Sequence, residues 1–147
     1  MAAAAYLFNS WRSYSQRGAN LRTGQIKATL HNSSYTPSVT SQTVYADLSN
    51  ELGTANGYTN GGLALSGQAW TQSTATVALT ASPTIWNCTV SDLVARYCVL
   101  RYVGTVDSAV DPLIAYILMD TTPANITATP GNALTITWNA SGIVVTS

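Results

Sequence analysis

The chain has 147 residues, of which 46% are hydrophobic and only 8% are charged, and its formal net charge is zero. Such a chain is long enough to enclose a core, and its hydrophobic content excludes intrinsic disorder. Average soluble proteins are roughly 25% charged. The low charge therefore suits lasting contact with other protein surfaces, although an ordinary β-protein with a neutral surface has the same composition.

The positive charge is concentrated in the first third of the chain. Arg12, Arg17, Arg22 and Lys27 all precede the first acid, Asp47. Four spaced positive charges are too few for a nucleic-acid-binding surface, so a solvated basic helix and loop is the favoured interpretation. No stretch approaches the roughly 18 apolar residues of a transmembrane helix. We therefore expect neither nucleic acid nor membrane as a partner.

The first predicted element is a helix over residues 2–17. It opens with alanines, which are strong helix formers, and Leu7, Trp11 and Tyr14 recur on one helical face. Gly18 is a plausible C-terminal stop. The apolar face either packs on its own domain, which is slightly favoured, or docks on a neighbouring subunit.

Period-2 alternation predicts β-structure for the rest of the chain. Residues 25–31 alternate apolar and polar side chains, which is typical of a half-buried strand. Loops are expected at 32–40 and 54–62, where Asn, Ser, Pro and Gly cluster. Residues 43–48 form either a short strand or a single turn. Further strands are predicted at residues 63–70, 75–79, 84–86, 134–138 and 143–146.

Two long apolar runs are expected to be the central strands. Residues 93–103 and 112–119 should pair through a turn at 104–111. The whole pattern predicts a mainly β fold, an antiparallel β-sandwich or jelly-roll-like barrel with one N-terminal α-helix. We expect one domain over 1–147, with residues 1–18 as a helical arm and 23–147 as the sandwich.

No catalytic site is predicted. The single histidine, His31, follows a strand, and no G-x-S-x-G motif supplies a nucleophile for a triad. A lone histidine is more often a surface or turn residue. Cys88 and Cys98 lack zinc-site spacing and are expected as reduced thiols, with Cys98 buried.

The acidic residues and glycines do not form a known ligand motif. The pairs Asp107/Asp111 and Asp47/Glu51 are expected on the surface and fit no EF-hand loop. The glycines of residues 53–67 match neither a Walker nor a Rossmann pattern. We therefore expect a protein that is not an enzyme and that has no cofactor and no metal.

Aromatic residues are the distinctive side chains. The tryptophans on predicted strands should fill the core or an interface, and exposed ones could also form a sugar-binding platform. Tyr35 and Tyr58 lie in predicted loops, which makes them candidates for contacts between subunits. With the helix residues, the candidate interface set is Trp11, Tyr14, Arg17, Tyr35 and Tyr58.

An ordered set of short segments runs along most of the chain. These segments are TGQIK (23–27), NSSYTP (32–37), VYAD (44–47), GYTNGGLAL (57–65), ARYCVL (95–100), PLIAYI (112–117) and TITWNASGI (135–143). As a set, from Thr23 onward, they resemble a widespread family of small virion proteins encoded by tailed phages. The alanine-rich N-terminal helix departs from that family.

The resemblance implies a structural role in a phage particle assembled in the bacterial cytoplasm. It suggests a capsid decoration, or cement, protein that forms symmetric oligomers on the major capsid protein. By analogy with β-rich virion knobs we expect a homotrimer. The alternatives are a tail component (a fibre or baseplate tip, or a head–tail connector piece) and a carbohydrate-binding module.

Overall fold

A computed structural model describes residues 5–19, 23–120, 122 and 124–146. These residues form several antiparallel sheets and one short helix. The sheets do not close into a barrel within this described part, so the arrangement is sandwich-like. The predicted mainly β, sandwich-like class is confirmed.

The elements are short and follow closely along the chain. The first part contains β1 (Ala5–Leu7), α1 (Asn9–Tyr14), β2 (Ile26–His31), a 3-10 helix (Tyr45–Asp47), β3 (Leu63–Ala64), β4 (Ala69–Ser73), β5 (Thr76–Thr80) and β6 (Thr84–Asn87). The second part contains β7 (Leu93–Ala95), β8 (Tyr97–Tyr102), β9 (Thr105–Val106), β10 (Ala109–Val110), β11 (Leu113–Leu118), β12 (Ile126–Ala128), β13 (Ala133–Ile136) and β14 (Val144–Thr146).

A five-stranded sheet with the order β1-β11-β8-β2-β3 lies at the centre of the fold. β8 and β11 pair antiparallel, as predicted, through the turn region that holds β9 and β10. Because side chains alternate along a strand, one face directs Ile26, Leu100 and Ile117 into the main core. The opposite face directs Val99 into a smaller cluster with Tyr35.

The remaining strands form smaller sheets that pack on the main core. β6 pairs with β13, β7 with β12, and β5 with both β4 and β14. Leu79, Trp86 and Leu134 from these strands lie in the same buried cluster as the central sheet. Cys88 and Cys98 are both buried and free of disulfide bonds.

The predicted helix over residues 2–17 is wrong at its start. Residues 1–4 lie outside the described residues, and Ala5–Leu7 form β1, which pairs with β11 at the edge of the central sheet. The helix begins only after Phe8, which is extended (φ −70°, ψ 136°) and fully buried. At Ala5–Leu7, pairing with a sheet edge thus outweighs the local helix propensity.

The predicted strand over residues 93–103 is two strands in two sheets, β7 and β8. The break lies at Arg96, whose backbone N–H donates to His31 O (2.8 Å) and whose carbonyl accepts from the Met119 N–H (3.1 Å). The Arg96 side-chain Nε donates to Asn125 Oδ1 (3.0 Å). An apolar run does not reveal such a transfer between sheets, because both strands are largely buried.

The predicted strand over residues 63–70 is also divided, into β3 and β4. Gly67 lies between them with φ 59°, a conformation that favours glycine. The alternative of a single turn at residues 43–48 is the one observed, as the 3-10 helix.

Candidate protein interface

Three of the five residues predicted to contact other subunits lie in the core of the chain itself. Trp11, Tyr35 and Tyr58 expose only 1%, 1% and 2% of their surface. Tyr14 is half-buried and Arg17 is exposed. The three buried aromatics thus have a packing role, and only Tyr14 and Arg17 are accessible to a partner. For those two residues an interface role stays a prediction.

The half-buried carboxylate of Glu51 explains why Tyr45 of the 3-10 helix and Tyr58 of the following loop turn inward. Its Oε1 accepts hydrogen bonds from the Tyr58 hydroxyl (2.6 Å) and the Gly61 N–H (2.7 Å), and its Oε2 accepts one from the Tyr45 hydroxyl. The Tyr58 hydroxyl also accepts from the Leu30 N–H (3.1 Å). Burial, followed by the hydrogen bond to Glu51, raises the pKa of Tyr45 to about 12. The network therefore holds residues 58–61 against β2 through tyrosine hydroxyls that stay neutral.

An ion pair between buried Arg101 and half-buried Asp111 continues this network. Arg101 Nη1 lies 2.5 Å from Asp111 Oδ2, and Arg101 Nη2 donates to the Gly61 carbonyl (2.9 Å). The guanidinium lies over the Tyr45 ring, 4.1 Å from its centroid, and Asp111 Oδ1 accepts from the Gly104 N–H (2.8 Å). Asp111, expected on the surface, is thus a structural partner that connects the 104–111 turn to the loop.

His31 is fully buried, which corrects the prediction of a surface or turn residue. Its Nδ1 lies 2.9 Å from Ser49 O and its Nε2 lies 3.0 Å from Thr29 Oγ1. The ring packs on Tyr35 with centroids 4.7 Å apart. Burial lowers the pKa of His31, partly offset by the Ser49 carbonyl and the charge of Glu51. Both ring nitrogens have partners inside the fold, so the geometry assigns the imidazole a structural role.

The other acids of the predicted pairs also have structural partners. Asp47 Oδ2 accepts hydrogen bonds from the Thr43 and Val44 N–H groups (2.8 and 3.0 Å), which lower the pKa of Asp47. Asp107 forms an exposed ion pair with Arg17 (2.6 Å). Within the part of the chain that the structure describes, no three His, Cys, Asp or Glu side chains are grouped to hold a metal.

The charge of the chain is absent from two long segments. All six basic and all six acidic residues lie within 12–51 and 92–120, and none lies within 52–91 or 121–147. The charge-free segments contain β3 to β6 and β12 to β14. Folding pairs most of these strands with one another, since β13 joins β6 and β14 joins β5, whereas β3 joins β2 and β12 joins β7. We call residues 52–91 and 124–146 the charge-free region.

Aliphatic side chains stand on the surface of the charge-free region. Leu63, Ile85 and Val90 expose 41%, 47% and 80% of their surface. In the β6–β13 ribbon, Trp86 points into the core, whereas Ile85, directly opposite Thr135, points outward. Exposed aliphatics in segments that carry no charged residue resemble the centre of a protein interface, where charged residues are depleted.

A groove of about 190 Å³ separates residues 57–63 from β6, and Leu63 and Ile85 line it. Its shape depends on glycine. Gly57 has φ 90°, and a Cβ atom there would lie 1.8 Å from the Asn87 carbonyl oxygen. Because the lining carries no charge, the groove suits a small apolar side chain of a partner better than an ionic ligand.

The sequence signal for this region is the distribution of charge rather than its total. Loop aromatics such as Tyr35 and Tyr58 are predicted as interface residues because large aromatic side chains contribute much of the binding energy of an interface. Exposed aliphatics such as Ile85 carry no such signal, since alternation alone does not say which face of a strand is buried. The uncharged run over residues 52–91, by contrast, is visible in the sequence.

Comparison with known proteins gives no match from which a function could be inferred. No family model, no curated protein and no solved structure matches the chain. Within the described residues, no helix is both long enough and apolar enough to cross a lipid bilayer.

Proposed function

We propose that this chain is a structural protein of a tailed-phage particle, and that it decorates the head by binding the major capsid protein. The observation that carries the proposal is the charge-free region with its exposed aliphatic side chains. The ordered segments from Thr23 onward, which resemble small virion proteins of tailed phages, support the choice of partner. The proposal includes a role without catalysis.

The physical argument is that a decoration protein needs contact area rather than chemistry. A stable interface buries on the order of 1,600 Å² and has an apolar, charge-poor centre. A surface without charge can be buried without the large desolvation penalty of an ion. Repetition of the contact over a symmetric shell adds avidity to each one.

Two alternatives use the same molecule differently. A tail component would also need an uncharged contact surface, so position in the particle separates it from a head protein. A carbohydrate-binding module would need exposed aromatic platforms. Trp11, Trp86 and Trp138 are buried and Trp70 is half-buried, so the tryptophans do not favour that alternative.

The copy number in purified particles tests the proposal. Quantitative mass spectrometry of the virions of the phage that encodes the chain should find it in numbers comparable with the major capsid protein. Antibody labelling should be uniform over the head. A few copies confined to the tail would replace decoration with the tail alternative, and absence from the particle would overturn both. The proposed homotrimer predicts that the free protein assembles with a mass of three chains or a multiple of three chains.

A further inference from the structure

β4 is an edge strand that is open to pairing. It ends the sheet with the order β14-β5-β4, and among the described residues no strand pairs with its outer side. Both of its faces are exposed, at Ala69, Thr71 and Ser73 on one side and at Gln72 on the other, while Trp70 is half-buried.

Natural edge strands usually carry a device that blocks pairing with another chain. The usual devices are a lysine, a proline, a bulge or a very short length. β4 has the sequence AWTQS, which contains neither charge nor proline, and its register with β5 is regular over all five residues. Its outer backbone N–H and C=O groups therefore form a template for another strand.

We propose that β4 pairs antiparallel with β4 of a second copy of this chain, about a twofold axis that passes beside Thr71. In this register Thr71 faces Thr71 of the second copy, and Trp70 faces Gln72 of the second copy. The two small sheets then become one continuous sheet across both copies.

One observation favours a second copy over an unrelated strand. A twofold contact brings a surface against itself, so any charge near the axis would meet a like charge. The β4–β5 hairpin and the rest of residues 52–91 contain no charged residue, so this edge meets its own copy without such repulsion.

The contact does not depend on the proposed role in a phage particle. By itself it produces a dimer, and together with a threefold contact it produces a hexamer. A failure to find the chain in virions would therefore leave the inference untouched, and so would a different partner for the rest of the charge-free region.

Opposite charges at Thr71 test the twofold contact. Sedimentation or native mass spectrometry of the wild type at tens of micromolar should show a dimer or a larger even-numbered assembly. Thr71→Lys and Thr71→Glu should each halve that assembly, because like charges then face each other across the axis. An equimolar mixture of the two variants should restore it, since Lys then faces Glu, and misfolding cannot produce such a rescue.

Thr135→Lys is the matched control, because Thr135 is an exposed threonine on the outer face of β13. It should leave the assembly unchanged. A wild type that is monomeric or a plain trimer, Thr71 variants that assemble like the wild type, or a mixture that stays dissociated would each overturn the inference.

A cysteine at the axis gives an independent measurement. Opposed Cα atoms in an antiparallel pair lie about 4.5–5.5 Å apart, within the range that a disulfide bridges. Mild oxidation of Thr71→Cys should therefore give a covalent dimer, whereas Thr135→Cys should stay mostly monomeric on a denaturing gel. Equal cross-linking of the two variants would contradict the proposed register.

Discussion

Thr29 determines how the buried imidazole of His31 is accommodated. Its Oγ1 lies 3.0 Å from His31 Nε2 and 3.2 Å from the Val99 carbonyl. With a neutral ring, Nδ1 donates to the Ser49 carbonyl and Nε2 accepts from the Thr29 hydroxyl. A protonated ring would donate from both nitrogens, and the hydroxyl would turn toward Val99. Protonation is therefore opposed mainly by desolvation and not by a lost hydrogen bond.

The lowered pKa of His31 predicts that acid destabilises the fold. The unfolded histidine binds a proton near pH 6.5, whereas the folded one binds it only at lower pH. Between these two pKa values the unfolded state holds the extra proton. The free energy of unfolding should therefore fall by up to about 1.4 kcal/mol per pH unit below pH 6.5, then level off below the folded pKa. Urea unfolding at intervals from pH 7.5 to 5.0 measures this slope.

His31→Asn separates this effect from other titrations. An asparagine amide can still donate to the Ser49 carbonyl, but it does not titrate, and the chain has no other histidine. We expect the variant to be less stable at pH 7.5, because the ring contact with Tyr35 is lost, and to show a flatter slope between pH 6.5 and 5.5. Equal slopes in the two proteins would rule out His31 as the source.

At the scale of an element, the loop before β3 is built on a close approach to β6 that only glycine permits. Gly57→Ala adds a Cβ that would lie 1.8 Å from the Asn87 carbonyl oxygen, at a residue with φ 90°. The loop must then move away from β6 and open the groove between them. We expect a loss of unfolding free energy of about 3 kcal/mol or more, the range of severe packing defects, measured by urea unfolding at neutral pH.

Two other glycines serve as controls for Gly57→Ala. Gly131 has φ 85° but nothing within 4 Å of an added Cβ, so Gly131→Ala should lose only the conformational strain, about 1–2 kcal/mol. Gly53 has open space as well and no positive φ. Gly53→Ala should therefore be neutral or stabilise by up to about 1 kcal/mol. Equal losses at Gly57 and Gly131 would show that the contact with Asn87 is not the cause.

Elements whose own pattern matches their surroundings are predictable from sequence. β2 is observed where its alternation predicts a strand, but the expectation that it is half-buried is wrong, because the face with Thr29 and His31 is buried too. The pairing of β8 with β11 follows from two apolar runs joined by a turn. Ala5–Leu7 is mispredicted because a helical local preference yields to the edge of β11. The division at Arg96 is missed because it depends on hydrogen bonds to residues far along the chain, such as Asn125.

At the scale of the whole molecule, most strands of the charged segments pair with one another, and so do most strands of the charge-free segments; the exceptions are β3, which pairs with β2, and β12, which pairs with β7. The segments 12–51 and 92–120 supply the three inner strands of the central sheet, β2, β8 and β11, and also the ion pair Arg101–Asp111. The segments 52–91 and 121–147 supply the strands that pair around β5 and β6. The absence of charge from residues 52–91 and 121–147 is visible in the sequence. That strands of these two segments pair with each other could not be predicted, because it depends on the pairing of β6 with β13.

This distribution predicts how the chain should bind an undecorated capsid shell, if it is a decoration protein. The affinity of the wild type should change little between low and high salt, because the proposed contact surface carries no charge to be screened. Ile85→Lys should weaken binding tenfold or more, since a buried, unpaired ammonium is strongly disfavoured. Co-sedimentation of purified protein with undecorated shells measures both effects.

Val110→Lys distinguishes a lost interface from a general effect of added charge. Val110 is an aliphatic residue with 61% exposure, so the same change is made at a comparable surface position. It lies in β10, beside the ion-paired Asp111 and outside the charge-free region. The variant should bind shells within about twofold of the wild type, as expected for a surface change of a few tenths of a kcal/mol. Equal weakening by both lysines, or wild-type affinity that falls steeply with salt, would mean that the shell contacts the charged segments instead.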